Sequence, residues 1–128
     1  MTKYDLAGEV IGCAMEVHSV LGHGLNESVY QKSLAIELAT KGFEVIVEKK
    51  ITVYYKGHDV GLFSADLFIN QTLIVELKAV RNILPEHEAQ LVNYLSATKT
   101  EEGVLINFGA PSLQFKKKFK DYKPPKLS

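Results

Sequence analysis

Three charged residues stand in segments that otherwise have the composition of buried β-structure. Glu76 and Lys78 are separated by one residue in the apolar run TLIVELKAV at 72–80, and Asp66 interrupts the preceding apolar run at 62–69. Because side chains alternate along a strand, Glu76 and Lys78 share the face opposite to the fully apolar one. Aspartate is depleted in strands, so Asp66 is costly at this position unless another group compensates for its charge.

Two opposed carboxylates beside a lysine can form a metal-dependent hydrolytic site. If Asp66 and Glu76 face each other at about 4–5 Å, their repulsion is roughly 3–4 kcal/mol at an effective dielectric constant of about 20. A divalent cation converts this repulsion into binding, and Mg²⁺ accepts one or two carboxylates together with water and substrate phosphate. Lys78 can then orient the attacking water or stabilise developing charge. The alternative is that Glu76 and Lys78 lie on a solvated strand face.

A shared site restricts the loop between the two strands. A two-residue turn after Ile69 would put Asp66 and Glu76 on opposite faces of the sheet. A three-residue loop instead pairs Ile69 with Leu73 and places Asp66 opposite Glu76, since opposed residues of an antiparallel pair share a face. We therefore predict an odd-length loop or a bulge at this connection.

The periodicity of the chain predicts the elements that position these residues. Apolar residues at helical spacing predict helices over 4–21 and 26–41, and Pro85 in a first turn predicts a third helix to about Ala97. Alternating β-branched and aromatic residues predict strands near 43–49, 51–56, 60–69, 72–80 and 103–108, with a short or edge strand in LQFKKKF at 113–119. The order α-α-β-β-β-β-α-β-β predicts an α+β fold, an α/β sandwich with helices packed on a mixed central sheet.

Size and composition are typical of one globular domain. The chain has 128 residues, of which 46% are hydrophobic and 23% charged. We place the domain at 1–122 and a Lys/Pro-rich tail at 123–128. One cysteine, Cys13, excludes an intrachain disulfide. The first residues lack a long apolar run, so we expect no signal peptide, no membrane span and a reducing, cytoplasmic setting.

Charge is unevenly distributed, although the formal net charge is zero. From Gln114 onward six lysines and one acid give +5, and the preceding part of the chain carries −5. A basic surface is typical of nucleic-acid-binding proteins, which makes Lys116, Lys117 and Lys118 candidate phosphate contacts. The alternative is a solvated terminal segment.

Five short motifs appear in a fixed order along the chain: GLNESVY at 24–30, ADL at 65–67, VELK at 75–78, HEAQLVNYL at 87–95 and LINFG at 105–109. Together they closely resemble the GxxExxY protein family, a branch of the PD-(D/E)xK nuclease-like superfamily, from about residue 5 to 119. The resemblance implies a restriction-endonuclease-like fold and metal-assisted phosphodiester cleavage with Mg²⁺ or Mn²⁺. It also implies a nucleic-acid partner, with DNA expected ahead of RNA.

The resemblance implies roles for individual residues. Asp66, Glu76 and the backbone carbonyl of Leu77 correspond to metal ligands, and Lys78 lies beside the attacking water. Glu27 matches a glutamate on the helix that precedes the sheet, which can add a third carboxylate.

Four further residues are candidate supporting groups. Gln90 and Tyr94 match the Q-x-x-x-Y helix of many such nucleases, with His87 on the same helix face, and Tyr30 shares a face with Glu27. For the two tyrosines the alternative is core packing with a satisfied hydroxyl. His87 is either a hydrogen-bond donor behind the site or a solvated helix residue.

The chain departs from the family pattern immediately before Asp66. Family members often carry an arginine there, whereas this chain has Ser64 and Ala65, and the proline of the "PD" motif is absent as well. The sequence therefore leaves open a nuclease, a non-catalytic nucleic-acid-binding or assembly module, and a hydrolase of another phosphate ester. No target-recognition module is evident, so we expect action as a homodimer, with a partner protein, or on a structured or single-stranded substrate.

Overall fold

A computed structural model describes residues 4–120, which form three helices and a five-stranded sheet. The helices are α1 (Leu6–Leu21), α2 (Glu27–Thr40) and α3 (Pro85–Thr98). The strands are β1 (Val45–Tyr55), β2 (His58–Ile69), β3 (Leu73–Lys78), β4 (Glu102–Asn107) and β5 (Gln114–Phe119). The expected α+β class with a mixed sheet is confirmed. The expected boundary at residue 122 and the tail at 123–128 lie outside the described residues.

The five strands lie side by side in chain order, from β1 to β5. Every neighbouring pair is antiparallel except β3 and β4, which are parallel and joined by α3. A parallel pair needs such a crossover, whereas the antiparallel pairs need only short turns or loops. The segment LQFKKKF forms the edge strand β5, as the sequence predicts. Between residues 4 and 120, no helix is long and apolar enough to cross a membrane.

Helices cover both faces of the sheet. Helices α1 and α2 contribute Val10, Val17 and Leu34 to a large cluster with the apolar face of β3, and Cys13 is buried in the same cluster. Helix α3 contributes Leu91 and Leu95 to a smaller cluster on the opposite face. The sheet is thus the central layer of a sandwich, and its polar residues must be satisfied between two apolar layers.

One predicted break in the chain is wrong. Segments 43–49 and 51–56 form the single strand β1, whose register with β2 runs through Lys49 and Lys50 without a turn. The register shifts instead between Val53 and Tyr54, and a second irregularity lies at Glu48, which has φ 54° and forms no ladder pair with Asp66. A left-handed residue inside a strand interrupts pairing without ending the strand.

The side chains of β2 exchange faces of the sheet opposite Glu48. Leu67 and Ile69 pack in the large cluster, whereas Phe63 and Ala65 pack in the cluster under α3. Residues of equal parity in a regular strand would stay on one face, so the faces exchange at Asp66. The fold therefore places this aspartate at the point where the strand exchanges its faces.

The β2–β3 connection has the predicted odd length. Ile69 pairs with Leu73 across a three-residue loop, and the ladder continues through Leu67 and Val75. Extending this register by one step places Asp66 opposite Glu76. The geometric condition set by the sequence for a shared carboxylate site is thereby confirmed.

Candidate active site

A polar gap opens between β2 and β3 where their ladder ends. The last ladder pair is Leu67 with Val75, and side chains replace the backbone pairing beyond it. The N–H of Leu77 donates to Oδ2 of Asp66 at 2.7 Å, and the N–H of Asp66 donates to Oε1 of Glu76 at 3.3 Å. Each carboxylate is therefore held by the backbone of the opposite strand.

The second oxygen of each carboxylate is available to a ligand. Oδ1 of Asp66 and Oε2 of Glu76 accept no hydrogen bond from residues 4–120. Within the same residues no buried side-chain oxygen or nitrogen lacks a partner, so these two oxygens must reach solvent. The carbonyl of Leu77 leaves the strand on the same edge as its N–H, since the two groups of one strand residue share an edge. The gap thus presents hard oxygen donors, which fit an ion such as Mg²⁺ or Mn²⁺ that also keeps several waters.

The electrostatics of the pair disfavour two negative charges in the gap. Burial, followed by the neighbouring charge of Asp66, raises the pKa of Glu76 to about 8. Burial also raises the pKa of Asp66, against the opposing effects of the Leu77 N–H and of Lys78. Without a cation, the gap therefore favours a protonated carboxyl, whereas a bound cation would favour the charged form of both groups.

Glu27, the first residue of α2, lies close enough to interact with this pair. Partial burial and then the charge of Asp66 raise its pKa, while Lys78 acts in the opposite direction. However, among residues 4–120 no three carboxylate, imidazole or thiol groups converge to hold a metal ion. The structure thus brings Asp66 and Glu76 together as a pair, with Glu27 as a nearby third charge.

Lys78 is half-buried at the end of β3, one alternation beyond Glu76. Its charge favours the ionised forms of Asp66, Glu76 and Glu27. It forms no ion pair within 4.0 Å among the described part of the chain, so no structural salt bridge uses its ammonium group. This amine is free to act on a molecule that binds at the carboxylates.

Gln31 belongs to the site, although the sequence analysis missed it. Its side chain is 8% exposed, and its amide nitrogen donates to the carbonyl of Asp66 at 3.0 Å. Together with Glu76, it holds the backbone of Asp66 where the ladder is absent. The available signal was its position four residues after Glu27, on the same face of α2.

A family comparison agrees with this geometry. The family model described as the PD-(D/E)XK nuclease superfamily matches residues 4–120. The chain belongs to this superfamily. Its nucleases typically use divalent metal ions, in line with the oxygen donors in the gap, and the superfamily is associated with nucleic acid.

A solved structure shows the same fold. The crystal structure of SSO0001 is similar with a TM-score of 0.52 and 16% sequence identity, over 94% of this chain and 80% of that chain. No curated protein matches the chain. At this identity the likeness shows a shared fold alone, and the consistency of the α+β architecture with a restriction-endonuclease-like domain rests on the family model.

Tyr30, in the motif GLNESVY, is a core residue. It has no exposed surface, and its ring stacks on Phe108 with 4.6 Å between centroids. Its hydroxyl donates to the carbonyl of Gly22 at 2.6 Å and accepts the N–H of Leu25 at 3.2 Å. The alternative of core packing with a satisfied hydroxyl is confirmed, and the same contacts fix the loop that leads to Glu27.

The three supporting candidates on α3 do not contact the carboxylate pair in the described structure. Tyr94 is partly buried and stacks on Phe63 with 3.9 Å between ring centroids, so its ring packs against the cluster under α3, whereas its hydroxyl has no hydrogen-bond partner among residues 4–120. His87 accepts the N–H of Leu84 on Nδ1 at 3.0 Å and so caps the start of the helix. Gln90 is exposed.

The lysines of β5 are partly neutralised by acids. Lys117 pairs with Asp5 at 2.9 Å, and Lys118 pairs with Glu88 at 2.6 Å on the other side of the sheet. Lys116 is exposed. Because two of the three predicted phosphate contacts already bind carboxylates, β5 presents a weaker basic surface than its sequence indicates.

Proposed function

We propose that the protein is a metal-dependent nuclease of the GxxExxY type that hydrolyses phosphodiester bonds in DNA, with Mg²⁺ or Mn²⁺ as its cofactor. The observation that carries this proposal is the opposition of Asp66 and Glu76 across the gap between β2 and β3, with Lys78 on the same strand as Glu76. The superfamily membership and the raised pKa of Glu76 both support it.

In this function Asp66, Glu76 and the carbonyl of Leu77 hold the ion, and Glu27 adds negative charge beside it. The ion, when bound, polarises the phosphodiester and promotes ionisation of water. Lys78 orients the attacking water and stabilises charge that develops on the phosphate oxygens.

The other candidate residues act at a distance from the reacting atoms. Gln31 positions the backbone of Asp66, and Tyr30 fixes the loop before Glu27. Tyr94 and His87 hold α3 in place, whereas the exposed Gln90 and Lys116 are available for contacts with the nucleic acid.

Cleavage assays test the proposal directly. We would incubate the full chain with labelled single-stranded DNA, duplex DNA and RNA in Mg²⁺, Mn²⁺ or EDTA, and compare it with Lys78→Ala. Lys32→Ala is the matched control, because Lys32 is an exposed lysine of α2 without an ion pair among residues 4–120. We expect cleavage that requires metal, is lost in Lys78→Ala and is unchanged in Lys32→Ala. Equal cleavage by Lys78→Ala would reject the assigned site.

A non-catalytic nucleic-acid-binding or assembly module is the second candidate function. The zero net charge, the neutralised lysines of β5 and the absent arginine before Asp66 favour it. A calorimetric titration with Mn²⁺ distinguishes the two candidate functions. A carboxylate pair that functions in cleavage binds the ion, and Asp66→Ala abolishes this binding, whereas a remnant of the fold shows no saturable site.

The organisation of the protein in solution is also a proposal. We propose one domain over 1–122 with a tail at 123–128, a cytoplasmic location, and action as a homodimer or with a partner protein. Light scattering coupled to gel filtration, with and without DNA, measures the assembly. A monomer in both conditions would reject the homodimer and leave action with a partner protein or on a structured or single-stranded substrate.

A further inference from the structure

A cavity of about 600 Å³ opens at the end of the sheet where β3 and β4 finish. Its walls are the α1–α2 loop at 23–25, the segment 79–81 that follows β3, and Gly109 with Pro111 after β4. It therefore lies outside the carboxyl ends of the two parallel strands. Ligands of sheets with helical crossovers commonly bind at such ends.

Arg81 lines this cavity and is the only arginine in the chain. Its side chain is exposed and makes no hydrogen bond or ion pair with the rest of the described chain. The guanidinium group is planar and permanently charged, and it donates two parallel hydrogen bonds to phosphate oxygens. An unpaired arginine in a cavity therefore points to an anionic ligand with several oxygens.

The wall that carries Arg81 is rigid. Asn107 accepts the N–H of Val80 at 2.9 Å and donates to its carbonyl at 2.9 Å, while the N–H of Gly109 donates to the same side-chain oxygen at 3.0 Å. A methyl group at Gly109 would collide with the backbone of Val80, so this close approach requires glycine. The backbone that precedes Arg81 is thus fixed before a ligand arrives.

The opposite wall is fixed as well, because the hydroxyl of Tyr30 bridges Gly22 and Leu25. This wall ends two residues before Glu27, and the first wall begins one residue after Lys78. Arg81 is three residues beyond Lys78, so their Cα atoms lie within about 11 Å. The cavity therefore adjoins the residues assigned to cleavage on two sides.

We propose that this cavity binds, through Arg81, an internal phosphate of the nucleic-acid strand next to the phosphate that is cleaved. The inference deepens the proposed nuclease function and rests on it for the position of the cleaved bond. A cation is needed at such a place, because Asp66, Glu76 and Glu27 repel the backbone of the substrate. Arg81, the one arginine of the chain, supplies that attraction.

Binding in EDTA separates this inference from catalysis. We would measure fluorescence anisotropy of a labelled single-stranded DNA hexamer with the full chain, Arg81→Ala, Arg81→Lys and the control Lys32→Ala, over a series of salt concentrations. We expect Arg81→Ala to weaken binding about 5- to 10-fold and to reduce the slope of log K against log[salt] by about 1. Arg81→Lys retains the slope but loses part of the affinity, because a lysine cannot donate two parallel bonds.

A phosphate scan identifies the contact. Replacing single phosphates of the hexamer by neutral methylphosphonates should weaken wild-type binding at one position in particular, and the same replacement should have no further effect on Arg81→Ala. Additive losses at every position would overturn the inference, as would an Arg81→Ala affinity equal to that of wild type. Thermal melting of each variant should agree within about 2 °C, since Arg81 has no protein partner to lose.

The two proposals fail in different ways. Arg81-dependent binding in EDTA without cleavage in any metal would support the cavity and reject the nuclease. Metal-dependent cleavage with unchanged binding and unchanged KM in Arg81→Ala would support the nuclease and reject the cavity.

Discussion

Two polar clusters lie within the same sheet, and they are satisfied in opposite ways. Asn107, at the end of β4, has no exposed surface, and its side-chain amide bonds to Val80, Gly109 and Gln114. Asp66 and Glu76, on β2 and β3, also bond to backbone, but each leaves one oxygen without a partner among residues 4–120. The first cluster is neutral and closed, whereas the second is charged and open.

The difference follows from the chemistry of the side chains. An amide carries both donors and acceptors, so Asn107 can satisfy a buried loop without external help. Ionised carboxylates only accept, and two of them cannot satisfy each other. Asp66 and Glu76 therefore require a proton or a cation from outside the chain. We infer that the Asn107 cluster maintains the fold, and that the carboxylate cluster is the place where the fold takes up a ligand.

Breaking the closed cluster should have the largest effect on stability. Asn107→Ala removes the side-chain partner of the N–H and carbonyl of Val80 and of the N–H of Gly109, all of them half-buried, which should lower the free energy of unfolding by about 2 kcal/mol. Urea denaturation followed by circular dichroism measures this loss. Asn93→Ala, at an exposed asparagine of α3, is the control and should stay within about 0.5 kcal/mol of wild type. A loss below about 1 kcal/mol for Asn107→Ala would contradict the structural role of its cluster.

The open cluster should make stability depend on pH when metal is absent. Burial and Asp66 raise the pKa of Glu76 from 4.5 to about 8, so between these values the folded chain binds a proton that the unfolded chain has released. Folding is therefore favoured at low pH, and this contribution is lost as the pH rises toward 8. In EDTA we expect the free energy of unfolding to be about 2–3 kcal/mol lower at pH 8.5 than at pH 5.5.

Glu76→Gln serves as the reference for this pH dependence. The variant has no titrating group at this position, so its stability profile should be flatter than that of wild type over the same range. Urea midpoints measured in EDTA at several pH values provide the comparison. Parallel profiles for the two proteins would show that Glu76 titrates normally and that the cluster needs no cation.

Removing one charge should stabilise the chain that lacks metal. At pH 8.5 in EDTA, Asp66→Asn removes repulsion with Glu76 while its side-chain oxygen still accepts the N–H of Leu77, so we expect a gain of about 1–2 kcal/mol. With Mn²⁺ at about 100 times its Kd, the wild type should gain about 2.7 kcal/mol and the order should reverse. Melting temperatures in both conditions test this, with Asp59→Asn at the exposed hairpin as control. Identical temperatures for wild type and Asp66→Asn in both conditions would refute a shared metal site.

The sequence predicted what depends on local periodicity. The strict alternation of strands linked the loop after Ile69 to the pairing of Asp66 with Glu76, and the register confirms this. Periodicity also located the helices and the edge strand. The predicted division between 43–49 and 51–56 is wrong, because the structure shows one continuous strand with a single left-handed residue at Glu48.

Partners that are distant in sequence could not be predicted in this way. The contact of Gln31 with Asp66 spans 35 residues, and the ion pair of Lys117 with Asp5 spans 112 residues. The residue type predicts neither contact, because an amide on a helix or a lysine on a strand is most often solvated. Asn107 lies in the motif LINFG, but the motif did not predict that its amide would be buried and bonded to the loop after β3. The register located the carboxylates, but only the packing of helices on the sheet shows what supports them.

Gln31 combines features of both clusters, because its neutral amide supports the charged pair through the carbonyl of Asp66. Gln31→Leu removes the bond to the Asp66 carbonyl but keeps the apolar packing, so stability should fall by only about 1 kcal/mol. If the bond positions Asp66, however, Mn²⁺ affinity should fall about 10-fold, within the range known for residues that orient metal ligands. Calorimetric titration with Mn²⁺ beside urea denaturation separates these effects. If Gln31→Leu binds Mn²⁺ as tightly as wild type, Gln31 has only a structural role, as Asn107 has.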